Sequence, residues 1–145
     1  MVDDDVEGVV GPGIVVELDG DDRFLHGNVL GRVKETYRQN PNLKISNGRY
    51  VLPDGSPGHS CFVNVREARY SGFDFSHLRT WMAGLWRSVD KRYFVDPVDG
   101  EYFKTAVDLA YSLPMLERAG QDSYRSEEHT SELQSHLNLV CRLLL

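Results

Sequence analysis

Long apolar runs are missing from this chain: no stretch reaches the roughly 18 consecutive apolar residues that crossing a bilayer takes,. The start, Met1-Val2-Asp3-Asp4-Asp5, is acidic, the opposite of the basic opening of a secretory leader,. On these grounds the piece reads as soluble, with a cytoplasmic location as the default. Cysteine is scarce, with only Cys61 and Cys141, so no disulfide framework is expected,. Basic runs are absent too. The 145 residues carry 16 Lys and Arg against 22 Asp and Glu, a net charge of −6, which argues against nucleic acid or an anionic membrane surface as the main partner,. Neither an internal repeat nor a low-complexity segment is present.

What is there divides into three stretches. Residues 125–135, Arg-Ser-Glu-Glu-His-Thr-Ser-Glu-Leu-Gln-Ser, read in frame as the start of a common sequencing-library adapter. After six variable bases the adapter resumes through Leu139-Val140-Cys141-Arg142-Leu143-Leu144-Leu145. Residues 125–145 therefore resemble translated adapter read-through and are expected to be a non-biological tail, to be set aside from fold reasoning. Taken as protein, the same stretch would be a charged amphipathic segment running into an apolar C-terminal anchor. Without it 14 basic residues face 19 acidic ones, a net charge of −5, and Cys61 is the single cysteine. Residues 1–13 are acidic and glycine-rich and show no strand–helix alternation, so the fold is expected within residues 14–124.

Ile14-Val15-Val16-Glu17-Leu18 is a β-branched run between Gly11-Pro12-Gly13 and Asp19-Gly20-Asp21-Asp22, which predicts a buried strand ending in an acidic turn,. Glu17 is unusual inside such a strand, because a buried carboxylate without a partner is costly. Asn28 caps an expected helix with Val29, Leu30, Val33 and Tyr37 on one face, closed by Asn40-Pro41,. Residues 42–52 predict a strand pair or one interrupted strand broken at Asn47-Gly48, followed by a turn-rich loop, Pro53-Asp54-Gly55-Ser56-Pro57-Gly58,. Phe75, Leu78, Met82, Leu85, Trp86 and Val89 recur at intervals of three and four, which predicts a second helix capped by Asp74 or Ser76,. A third is expected from about Thr105, with Ala106, Leu109, Ala110 and Leu113 on one face. Pro114 should kink or restart it and Gly120 should end it,.

The acidic turn packs three carboxylates into four residues, which repel one another unless a cation or water screens them. Taken alone it is better explained by a solvated turn. An EF-hand loop is excluded, because counting from Asp19 puts Arg23 and Phe24 where an Asp or Asn and a glycine are required,. Hard oxygen ligands suit Mg²⁺ or Mn²⁺, whose sites use one or two carboxylates and complete their shells with water and phosphate oxygens. That chemistry points to a diphosphate ligand.

Three blocks in order, Val15-Val16-Glu17-Leu18-Asp19-Gly20-Asp21-Asp22, then Ser76-His77-Leu78-Arg79-Thr80, then Thr105-Ala106-Val107-Asp108-Leu109-Ala110 running into Leu113-Pro114-Met115-Leu116-Glu117-Arg118-Ala119-Gly120, resemble the GT-A-fold glycosyltransferases of the family-2 type. The resemblance implies an α/β, Rossmann-like domain of which residues 14–124 are the C-terminal part, lacking the N-terminal nucleotide-binding half. Asp19-Gly20-Asp21 is similar to the family's DXD signature, which implies that Asp21, with Asp19 or Asp22, holds a Mn²⁺ or Mg²⁺ ion on the diphosphate of a nucleotide-sugar donor. Asp108 then looks like the catalytic base that takes the proton of an acceptor hydroxyl, on a glycan or another acceptor, in an inverting displacement. His77 and Arg79 are candidate contacts to acceptor or diphosphate, an Arg fork being suited to phosphate oxygens; a first-turn residue and a solvated face are their plainer explanations. For Asp108 the plainer explanation is an acid favoured at a helix start.

Trp81 and Trp86 are a possible sugar-stacking platform, although Trp86 shares the apolar stripe and fits the core better. His59 and Cys61 make no defensible metal pair. Without a nucleotide-binding half, the parallel sheet would expose an edge and a face, so the polypeptide as written is expected to aggregate and be inactive. The rival expectation is a noncatalytic carbohydrate- or Ca²⁺-binding module built on the acidic turn and the tryptophans.

Overall fold

The structure is a computed structural model; it describes residues 13–126 except Asp21, Leu25, Phe62, Gly72 and Phe73, together with Leu143 and Leu144. Five strands form one mixed sheet in the order β4-β2-β3-β1-β5. They are β1 (Ile14–Glu17), β2 (Ile45–Asn47), β3 (Arg79–Met82), β4 (Tyr124–Ser126) and β5 (Leu143–Leu144). The central β3 runs antiparallel to both β1 and β2, β4 is parallel to β2, and β5 is antiparallel to β1. The α/β class expected from the sequence holds; the parallel sheet does not, because β3 is inserted with opposite polarity between the strands that follow and precede it in space. Both outer strands include residues of the stretch read above as adapter-derived, Arg125 and Ser126 in β4 and both residues of β5. Open strand edges accept whatever extended chain reaches them, whatever its origin.

Side chains alternate between the faces of a strand, and the register sorts them into two layers. One face carries Val15 and Glu17, Arg79 and Trp81, Ile45 and Asn47, Tyr124 and Ser126. Against it pack α2 (Ala83–Ser88) and α3 (Val107–Ala119), and the main core joins Ile45, Trp81 and Tyr124 to Phe75, Leu85, Tyr111, Met115 and Leu116. The opposite face carries Val16 and Thr80 and is covered by α1 (Val29–Gln39), in a smaller cluster of Val16, Leu18, Val29 and Leu78. Tyr37 of α1 reaches Thr80 through its hydroxyl (3.0 Å), and Thr80 also meets Ser46 of β2 (2.7 Å). Burial raises the Tyr37 pKa, outweighing the opposing pull of the Thr80 and Ser46 hydroxyls on its own hydroxyl,.

The first helix begins after Asn28 and stops at Asn40, as the sequence implies, although the Asn28 side chain makes no capping bond. The second departs from expectation. Residues 79–82 are the central strand, and the helix is the short α2 that starts directly at Ala83. Thr80 and Trp81 favour a pleated surface, and hydrogen-bonded neighbours on both sides settle the matter. A strand that passes into a helix without a loop leaves its apolar residues at helix-like intervals. In residues 42–52 only Ile45–Asn47 forms a strand, with a separate bridge between Val51 and Pro57 beyond it. The third helix starts later than expected. Ala106 sits before it in the left-handed region (φ 50°) rather than on its apolar face, and Val107 and Asp108 open the first turn. The helix continues through Pro114 to Ala119 without a restart, Gly120 caps it, and six successive residues of its middle, 111–116, are buried, whereas Glu117 and Arg118 beyond them are exposed.

Candidate functional site

The strand that carries Glu17 also delivers Asp19, two residues further and past the strand end, to an open cleft of about 470 Å³. Its lining comes from three elements: Glu17 and Asp19 from β1 and its end, His77 and Arg79 from the entry into β3, and Val107, Asp108 and Tyr111 from the start of α3. Residues far apart in sequence meet here because β1 and β3 are paired, with Glu17 opposite Arg79, and because α3 begins over that end of the sheet.

The floor of the cleft is charged. Arg79 is 3% exposed and Glu17 6% exposed, and Arg79 Nε lies 3.2 Å from Glu17 Oε2. That contact is an ion pair by distance, but Nε is not aligned for a hydrogen bond. Arg79 Nη1 donates to Asp108 Oδ2 at 3.1 Å, and the Asp108 side chain remains 49% exposed to the cleft. Tyr111, one turn along α3 from Asp108, donates its hydroxyl to Glu17 Oε2, and the Arg79 guanidinium carbon stands 5.9 Å from its ring centroid,. Burial works against the Arg79 charge, yet Tyr111, Glu17 and Asp108 outweigh it and raise its pKa,. Burial also raises the Tyr111 pKa, the pull of Arg79 opposes this, and the negative field of Glu17 adds to it.

Of the residues singled out in the sequence, Asp19, His77, Arg79 and Asp108 share this cleft. Asp21 lies outside the described residues, and Asp22 is half-buried, its amide directed at the Asp19 carbonyl (3.3 Å). Arg79 is on neither a helix nor a solvated face but on the central strand. His77 precedes that strand and meets the Tyr50 ring edge-on, with centroids 5.0 Å apart. Trp81 is buried, and Trp86 stacks on Phe94 (4.9 Å, 12°) and Trp81 (6.1 Å, 23°), so the tryptophans belong to an aromatic cluster bordering the core. His59 pairs with Asp74 at 2.5 Å, away from Asp19 and Asp108.

Sequence reasoning did not find Tyr111 or the role of Glu17. The signal for Glu17 was its presence in an apolar strand, which calls for a buried cation; the Arg could not be named without knowing the strand pairing. Glu17, Arg79, Asn47 and Ser126 stand side by side across four strands, all buried. Asn47 is satisfied by Ser60, the Cys61 carbonyl and the Tyr124 hydroxyl.

Among the described residues no three His, Cys, Asp or Glu side chains come together to hold a metal ion. A Mg²⁺-class ion needs only one or two carboxylates when phosphate oxygens and water complete its shell. Asp19 is exposed at the cleft and offers one, whereas Glu17 and Asp108 are turned to Arg79. The donor set fits such an ion to that extent. No helix among the described residues is long and apolar enough to cross a membrane. No family model, curated protein or solved structure matches this chain.

Proposed function

We propose that the cleft is the metal and acceptor side of a nucleotide-sugar glycosyltransferase site on a GT-A-type domain. The observation that carries this reading is that Asp19, His77, Arg79 and Asp108, identified from three separate sequence blocks, line one cleft. Asp19, with Asp21 or Asp22, would hold a Mn²⁺ or Mg²⁺ ion, which supplies charge neutralisation on the leaving diphosphate when bound. Asp108, half-exposed beside the cleft, would accept the proton of the acceptor hydroxyl as that oxygen attacks the anomeric carbon,. His77 lines the same wall and would contact the acceptor.

The test is calorimetric titration of the full chain with UDP-, GDP- and dTDP-sugars, with Mn²⁺ and with chelator. Binding of one donor should require Mn²⁺, disappear in Asp19→Ala and persist in Asp108→Asn. Donor binding that survives chelation or Asp19→Ala, or no donor binding at all, would overturn the reading. Glycan binding without nucleotide would instead favour a carbohydrate-binding module.

A further inference from the structure

The cleft contains more charge than metal binding and proton transfer require. Arg79 is nearly inaccessible, and its guanidinium is engaged on two sides, by Glu17 within the sheet and by Asp108 at the helix start. An arginine that binds phosphate presents its fork to the ligand; here the Nε edge faces Glu17 and Nη1 faces Asp108. Glu17 is fixed in turn by the Tyr111 hydroxyl, and Tyr111 comes from the same first turns of α3 as Asp108. The chain of contacts therefore closes on itself, from α3 through Glu17 and Arg79 back to α3. Nothing else in the hydrogen-bond or ion-pair pattern of the described residues grips the Asp108 side chain. Ala106, two residues earlier, stands at the helix start in a left-handed conformation and contributes no side-chain cap to that turn.

We infer that Arg79 is a positioning residue, which, clamped by Glu17 and Tyr111, sets the orientation of the Asp108 carboxylate across the cleft from Asp19. The inference rests on the proposed function for its significance, since orientation matters only if Asp108 handles a proton. Displacements of about 1 Å are enough to impair such a group severely. The geometric claim itself stands on the Glu17–Arg79–Asp108 contacts. An ordinary buried ion pair would stabilise β1 against β3 and leave the Asp108 rotamer indifferent to it.

The experiment compares full-length wild type, Arg79→Lys and the double variant Glu17→Gln/Arg79→Met by NMR. The double variant removes both buried charges and leaves Tyr111 an acceptor, so it keeps the fold where Arg79→Met alone risks losing it. The readout is the set of three-bond couplings that report the Asp108 χ1 rotamer, with the dissociation constant for Mn²⁺ and a nucleoside diphosphate measured on the same samples. Wild type should show one rotamer. The double variant should show averaged couplings with the affinity changed less than about twofold, because the lost arginine touches Asp108 rather than the ligand. Arg79→Lys should regain part of the fixed rotamer through its remaining point charge. A single, unchanged Asp108 rotamer in the double variant overturns the inference, as does a loss of diphosphate affinity of about tenfold or more, which would make Arg79 a phosphate ligand. Failure of wild type to bind metal and diphosphate would count against the proposed function alone, since the rotamer measurement still decides the positioning role.

Discussion

Replacing Arg79 by methionine should be the most destabilising single change at the cleft, and the structure gives its size. Methionine fills much of the arginine stem's volume, so the loss is chiefly electrostatic. It leaves Glu17, 6% exposed, without its cation and with the Tyr111 hydroxyl as its remaining hydrogen-bond donor. Removing one partner of a buried pair typically costs about 3–5 kcal/mol. Asp108 adds little, because its side chain is half-exposed and water can replace the lost contact, worth at most about 1 kcal/mol,. Domains of this size are stable by on the order of 5–15 kcal/mol, so a loss of about 4 consumes a large share. Urea unfolding followed by far-UV circular dichroism and tryptophan fluorescence measures it, Trp81 being two residues from Arg79 on the same strand face. Asp108→Asn should cost under about 1 kcal/mol, and Glu17→Gln/Arg79→Met should recover most of the Arg79→Met loss, since no buried charge remains. Equal costs for Arg79→Met and Asp108→Asn, or a cost below about 1 kcal/mol for Arg79→Met, would refute the reasoning, because Glu17 would then be hydrated rather than buried.

Two further outcomes test the rest of the fold. Tyr124→Phe removes a hydroxyl that donates to Asn47 Oδ1 (2.7 Å) and accepts from the Val63 amide (3.1 Å), leaving two buried polar groups short of a partner. It should cost about 2–3 kcal/mol and speed hydrogen exchange at Val63, and unchanged exchange there would count against it. Glu35, held by Arg38 and then Gln39, has its pKa lowered from 4.5 to about 2. Because the folded value is the lower one, its support of α1 is present above the ordinary carboxylate range and lost as pH falls toward the folded value. Carboxyl carbon NMR should place its midpoint near that value in wild type and well above it in Arg38→Ala, and equal midpoints would refute the pairing.

The parts legible in the sequence share a physical feature: their signal is local. The β-branched run at Ile14, the Asn40-Pro41 stop, the first-turn placement of Asp108 and the Gly120 cap depend on neighbouring residues, and each appears where expected. Residues 79–82 have the spacing of a helix but form a strand, because strand identity there comes from partners on both sides, Glu17 and Asn47 opposite Arg79 and Val15 and Ile45 opposite Trp81. Those partners lie more than 30 residues away, and no window around Arg79 contains them. The element also decides the chemistry. On a helix Arg79 would be free to reach a ligand, whereas opposite Glu17 on a central strand its first obligation is to neutralise a buried carboxylate. That requirement is present in the sequence, since Glu17 in an apolar strand calls for a cation and His77 and Arg79 are the basic residues of the same candidate site. Joining the two would have paired β1 with the segment after Ser76 and excluded a helix beginning at Asp74 or Ser76. A buried charge in a strand thus constrains topology as well as electrostatics.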